Sequence, residues 1–166
     1  QDLTPKFTHE MTAEEELRKH EIGRDFTPTN PPEAPVRIVA EFEEMQSVLI
    51  RYPFGIPMTL IKEMADDCKV KTIVTNTSQQ QIVLSQYEAA GVNTANCEWL
   101  LAPSDSYWTR DYGPWFVVDG NYEVGISDFP YNRPRPSDDN IPVVLAQQMG
   151  IPLYGMDLIH TGGNWM

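Results

Sequence analysis

From residue 36 onward, short apolar and β-branched runs alternate with amphipathic stretches, while residues 1–35 carry no sustained apolar period. Residues 36–42 and 47–52 predict strands. Residues 57–68 predict a helix with Pro57 in its first turn, and residues 70–75 predict another strand. Ser78 and Gln81 have the spacing of a capping box, and Ile82, Leu84, Tyr87 and Ala90 carry that helix to a stop at Gly91. Residues 97–102 read as a strand. Residues 115–118 and 122–128 then flank Asp119-Gly120-Asn121, a hairpin turn signal. Residues 141–149 predict a helix ended by Gly150, followed by brief extended pieces at 152–154 and 157–160. Strands and helices are interleaved through hairpins as well as crossovers. This predicts a mixed α/β fold rather than the regular alternation of a doubly wound sheet. ββαβ-like units recur at roughly 50–70 residues, as in a ring of small modules.

Ahead of this lies an arm. Thr12 and Glu15 form a second capping-box signature, starting a short charged helix that ends near Gly23. The run Glu14-Glu15-Glu16 reads as a solvated helix face that also suits the N-terminal dipole. Prolines 28, 31, 32 and 35 break any regular structure after it. Residues 1–35 are therefore an arm and proline-rich linker, and residues 36–166 the globular part.

Composition narrows the partners. Twenty-four acidic against twelve basic residues give a net charge of −12, leaving no basic stripe for a nucleic-acid backbone. The same charge weakly favours cationic ligands. Two cysteines are too few for a disulfide scaffold, and no apolar stretch is long enough to span a membrane. There is no phosphate loop, serine elbow or metal-ligand cluster, so the residues imply no cofactor and no metal.

The chemistry concentrates in three segments. In 104–115, expected to be a loop, Tyr107, Trp108, Tyr112 and Trp115 surround Asp111. A planar cation such as guanidinium needs a carboxylate for its forked donors and gains about 0.5–2 kcal/mol from an aromatic face. Trp108 and Asp111, three apart, supply both. The same residues also suit a core in which Asp111 pairs with Arg110 or another arginine. In Tyr131-Asn132-Arg133-Pro134-Arg135-Pro136, alternate prolines predict an extended segment. Arg133 and Arg135 then project to one side, able to clamp a carboxylate; a solvated loop, or bridges to Asp138 and Asp139, is the other reading. In the last segment, Gly162 and Gly163 permit close backbone approach, Asn164 can hydrogen-bond a ligand, and His160 is a base or a structural residue. His9 and His20 read as surface residues of the arm. Neither cysteine reads as a nucleophile, since Cys68 follows Asp66-Asp67 and Cys97 heads an apolar strand.

Trp108-Thr109-Arg110-Asp111-Tyr112-Gly113-Pro114, the earlier Ala40-Glu41-Phe42-Glu43 and the closing Gly162-Gly163-Asn164 resemble, in order and spacing, the Porphyromonas-type peptidylarginine deiminases and agmatine deiminases. The resemblance runs from about residue 36 to the last residue, and the Arg133-Pro134-Arg135 pair is similar to the peptidylarginine deiminases in particular. It implies a five-bladed α/β propeller of ββαβ modules, of which residues 36–166 would form about half. It implies hydrolysis of an arginine guanidinium to a ureido group with loss of ammonia, through a cysteine thiouronium intermediate, on an arginine-bearing peptide or protein. Asp111 would hold the guanidinium, Trp108 would pack on it or its stem, and Arg133 and Arg135 would bind the α-carboxylate of a C-terminal arginine. The family's cysteine and H-x-D motif match nothing in residues 1–166, so residues 1–166 alone are expected to be inactive and to need a further C-terminal segment as partner. With the non-Met start, the resemblance also implies a secreted or cell-surface bacterial protein. Agmatine deiminase and a non-catalytic arginine-binding module are the alternatives.

Overall fold

The computed structural model describes residues 8–40 and 42–164. Glu41 of the Ala40–Glu43 motif, and Trp165 and Met166, lie outside the described residues. In chain order the elements begin with α1 (Ala13–Leu17), β1 (Arg37–Ile38), β2 (Ser47–Arg51), α2 (Met58–Asp67) and β3 (Lys69–Val74). Then come α3 (Thr77–Ala90), β4 (Cys97–Leu101), α4 (Thr109–Tyr112) and β5 (Trp115–Val118). β6 (Val124–Asp128), α5 (Pro136–Asp139), α6 (Ile141–Met149) and β7 (Leu153–Gly155) complete the set. Two compact units result: residues 44–109, and residues 7–43 together with 110–166.

The first unit is a β-α-β-α-β run whose three strands are all parallel, in the order β2-β3-β4. Here the chain alternates strand and helix cleanly, which the interleaved pattern of the whole sequence did not single out. The central strand must be covered on both faces, and Val70, Thr72, Ile73 and Val74 are all buried. Ile61 and Ala65 of α2 and Val83 and Tyr87 of α3, each pair one turn apart, close over it. Tyr87 stacks between Phe54 and Trp99 at 5.7 and 6.1 Å. Burial pushes its hydroxyl well above the usual tyrosine range, and its 2.7 Å hydrogen bond with Thr72 Oγ1 satisfies it there.

The second unit is a four-stranded sheet, β1-β5-β6-β7, antiparallel except for the β6–β7 pair. The expected hairpin is β5–β6. α6 packs against this sheet through buried Ile141, Leu145 and Ala146. The strand expected over 36–42 shrinks to the two residues of β1, because Glu43 pulls the chain into a turn. Its carboxylate accepts from the Ala40 N–H at 2.7 Å and from Arg37 Nη1 at 2.8 Å.

Two local expectations are corrected. Helix α3 starts one residue before Ser78, and its cap is Asn76, whose side chain accepts from the Gln79 N–H at 2.9 Å. Gln79 reaches back to the Thr75 N–H at 2.7 Å, so an asparagine does the work assigned to Ser78. The segment 133–135 is not extended: the Arg135 N–H donates to the Arg133 carbonyl at 2.8 Å, a tight turn that leads into α5.

Asn76→Ala should therefore destabilise the protein by about 1 kcal/mol, whereas Ser78→Ala should stay within about 0.5 kcal/mol, both read from urea unfolding midpoints.

Candidate active site

Asp111 does not sit in an irregular loop but on the single helical turn α4, where it is 7% exposed. The tyrosine after it is buried and meets Tyr131 edge-on at 6.0 Å. The closing glycines pack against this turn. A side chain on Gly162 would run into the Trp115 ring and the Arg110 carbonyl, and one on Gly163 would stand 3.2 Å from Asp111 Oδ1. The missing side chains let Gly162 lie against Trp115 and Arg110, and Gly163 beside the carboxylate. Arg110 lies over the Trp115 ring at 5.2 Å. A basic group facing Asp111 is His9, with Nε2 3.7 Å from Oδ2.

Arg133 and Arg135 both reach the N-terminal arm. Arg133 Nε and Nη2 donate to the His9 carbonyl at 3.2 and 3.0 Å, and its Nη1 donates to Asn132 Oδ1 at 2.7 Å. Arg135 is 1% exposed. Its Nε donates to Glu15 Oε1 at 2.7 Å, and Nη2 to Glu15 Oε2 at 3.3 Å and to the Thr8 carbonyl at 2.8 Å. Glu15 is thus buried rather than part of a solvated acidic face, because a guanidinium 120 positions away has drawn it inward. The capping box survives this burial: Thr12 N–H donates to Glu15 Oε2 at 2.8 Å. Burial works against both charges. Arg135 and the Thr12 amide outweigh it and hold Glu15 below the usual carboxylate range, while hydrogen bonding to Glu15 holds the guanidinium above its own.

Two residues at this site escaped the sequence. Tyr131 is 2% exposed, and its hydroxyl finds no hydrogen-bond partner among the described residues. Burial, then the Asp111 charge, push that hydroxyl upward, while Arg135 and Arg133 pull it back. Asp128 is 7% exposed, and burial together with the charge of Asp139 pushes its carboxyl up to about 7. Asp139 Oδ1 accepts from the Tyr131 N–H at 2.6 Å. A sequence reader sees Asp128 only as the last residue of an apolar strand; that it ends buried depends on strand pairing. His160 pairs with Tyr131 through the backbone, its carbonyl accepting from the Asn132 N–H at 2.9 Å.

Trp108 belongs to the other unit. There it contacts the Tyr107 ring at 5.0 Å and lines a cavity of about 300 Å³ with Ile50, Arg51 and Ile56. Arg51 is fixed by Ser104, through Oγ at 2.8 Å and the carbonyl at 2.9 Å. Both cysteines are unpaired with one another and half-buried, and burial raises the Cys97 thiol. Among the described residues no group of His, Cys, Asp or Glu is arranged to hold a metal ion, and no helix is long and apolar enough to cross a membrane.

The model of the Porphyromonas-type peptidyl-arginine deiminases matches residues 37–165. The chain belongs to that family. Its fold is that of the wider group of guanidine-modifying deiminases. A C. jejuni agmatine deiminase superposes with a TM-score of 0.61 at 19% identity, over 81% of this chain and 44% of its own. The Enterococcus faecalis agmatine deiminase gives 0.59 at 18% identity, over 77% and 40%. The chain thus spans less than half the length of the deiminases it superposes on. The family is described by peptidyl-arginine deimination, and both superposed proteins are agmatine deiminases.

Two outcomes follow from the charges. Removing Glu15 strands a buried guanidinium, so Glu15→Ala should cost about 3–5 kcal/mol of unfolding free energy. Asp128 has its folded value raised above the ordinary 3.8 to about 7, so the stability it contributes is present at acid pH and lost as pH rises through about 7. Urea midpoints measured from pH 4 to pH 8 should fall in the parent, and Asp128→Asn should flatten that fall.

Proposed function

We propose that this chain carries the substrate-binding part of a secreted bacterial deiminase that converts a peptide's C-terminal arginine to citrulline. Asp111 holds the guanidinium nitrogens. Arg133 and Arg135 take the α-carboxylate, which requires a substrate ending in arginine. A cysteine thiolate bonds to the guanidinium carbon and ammonia departs as the C–N bond breaks. Water then attacks the same carbon, the C–S bond breaks, and the ureido product leaves the thiolate restored. We assign that cysteine and its proton-carrying histidine to sequence outside residues 1–166. The complete fold is a five-bladed α/β propeller to which this chain contributes about half.

The observation that carries this reading is the near-buried Asp111, with Gly163 beside it and both within the family's matched segment. A carboxylate largely withdrawn from water holds a guanidinium's forked donors more strongly than an exposed one.

Hydrolysis of agmatine is the second reading, favoured by one observation: Arg135 is committed to Glu15, which weakens the case for a paired arginine clamp. The solved structures named above are also agmatine deiminases.

A ureido-product assay on the full-length protein, with a peptide ending in arginine and with agmatine, separates the two. Product from the peptide, lost in Asp111→Ala, with a KM raised at least about tenfold in Arg133→Ala, is the expected result. Product from agmatine alone, indifferent to Arg133→Ala, would transfer the chain to the second reading. Binding of both with no ureido product would make it an arginine-binding module.

A further inference from the structure

Three of the groups assigned above to the substrate, Asp111, Arg133 and Arg135, are engaged by one short stretch of the arm. The His9 imidazole stands 3.7 Å from Asp111, where the substrate's cation would bind. The His9 carbonyl takes two donors of Arg133, and the Thr8 carbonyl takes one from Arg135. A basic ring on the carboxylate and oxygen acceptors on the guanidiniums are the same pairing of chemistries that an arginine with a free carboxylate would present. We propose that residues 8–11 are an internal pseudosubstrate, a strap that occupies the substrate-binding surface and must leave before an arginine-ending peptide can bind. This rests on reading Asp111 and Arg133 as substrate contacts.

The strap is built to be displaced. Thr8, His9 and Glu10 are exposed and Met11 is half-buried, so Met11 alone contributes apolar burial to the strap. The contacts they make to Asp111, Arg133 and Arg135 are polar and replaceable by the ligand. The anchor is separate: α1 is fixed by its capping box and by the buried Glu15–Arg135 pair. The strap can therefore lift at Thr12 with the Glu15–Arg135 hydrogen bonds kept, Arg135 giving up its Thr8 contact. An occupant tethered so closely acts at high effective concentration. If it covers the surface nine-tenths of the time, it weakens apparent affinity about tenfold.

The test compares the full-length protein with a form lacking residues 1–11, which keeps Thr12 and the Glu15–Arg135 pair, and with His9→Ala. The readout is KM for a peptide ending in arginine, or its calorimetric Kd where no product forms, together with the thermal midpoint. The deletion should lower KM or Kd about tenfold with kcat and midpoint unchanged, and His9→Ala should move it the same way by about twofold or more. A merely structural arm would give the opposite sign. Unchanged or weaker affinity in both forms overturns the strap while leaving the deiminase reading standing. Tighter binding without any ureido product supports the strap and overturns the deiminase reading. No binding by any form overturns both. If the deletion lowers the midpoint, the sign of the His9→Ala change decides.

Discussion

The architecture of the unit formed by residues 7–43 and 110–166 turns on one buried ion pair. Glu15 and Arg135 are each almost fully removed from water, and such a removal costs several kcal/mol per ion unless the pair and its surrounding hydrogen bonds are complete. They are close to complete here. Glu15 receives two donors from Arg135 and one from the Thr12 amide, and Arg135 adds the Thr8 carbonyl. Burying a charge pair is a poor route to stability but a strict way of fixing position, since a misplaced arm strands two charges. This pair fixes where α1 lies, hence where residues 8–11 run, and hence what faces Asp111 and Arg133.

The fold was largely legible because its elements obey local rules. Periodicity located α2, α3, α6 and most strands within a residue or two, as expected where apolar spacing, glycine stops and proline starts agree. What was illegible depended on partners distant in sequence. Glu14-Glu15-Glu16 looks like any solvated acidic turn, and nothing local marks the middle residue as the one that finds Arg135. The alternate prolines around Arg133 argue for extension, yet a single backbone hydrogen bond closes that segment into a turn. Asn76 won the cap over Ser78 by two positions, a choice between neighbouring polar residues that composition does not decide.

The same division holds at the site. Asp111 and the glycine pair stand out by motif, and the structure brings them side by side. Tyr131 and Asp128 carry no motif. Tyr131 is one aromatic among seven tyrosines, and only its burial beside charged residues marks it. Asp128 draws its raised carboxyl value from burial and from a second acid, Asp139, eleven positions on. Properties set by the assembled surroundings of a side chain cannot be read from its neighbours along the chain.

The tether between Glu15 and Arg135 also has a temporal side. Residues 44–109 form a continuous stretch that holds its own parallel sheet and core, so it can begin to organise as soon as it leaves the ribosome. The arm is made earlier but cannot complete its pairing until Arg135 emerges, 120 residues later. At about 5–20 residues per second that interval is about 6–24 s. For that time the arm of a newborn chain carries an acid without its base, open to water, chaperones and proteases, and its path is settled only by the last third of the sequence.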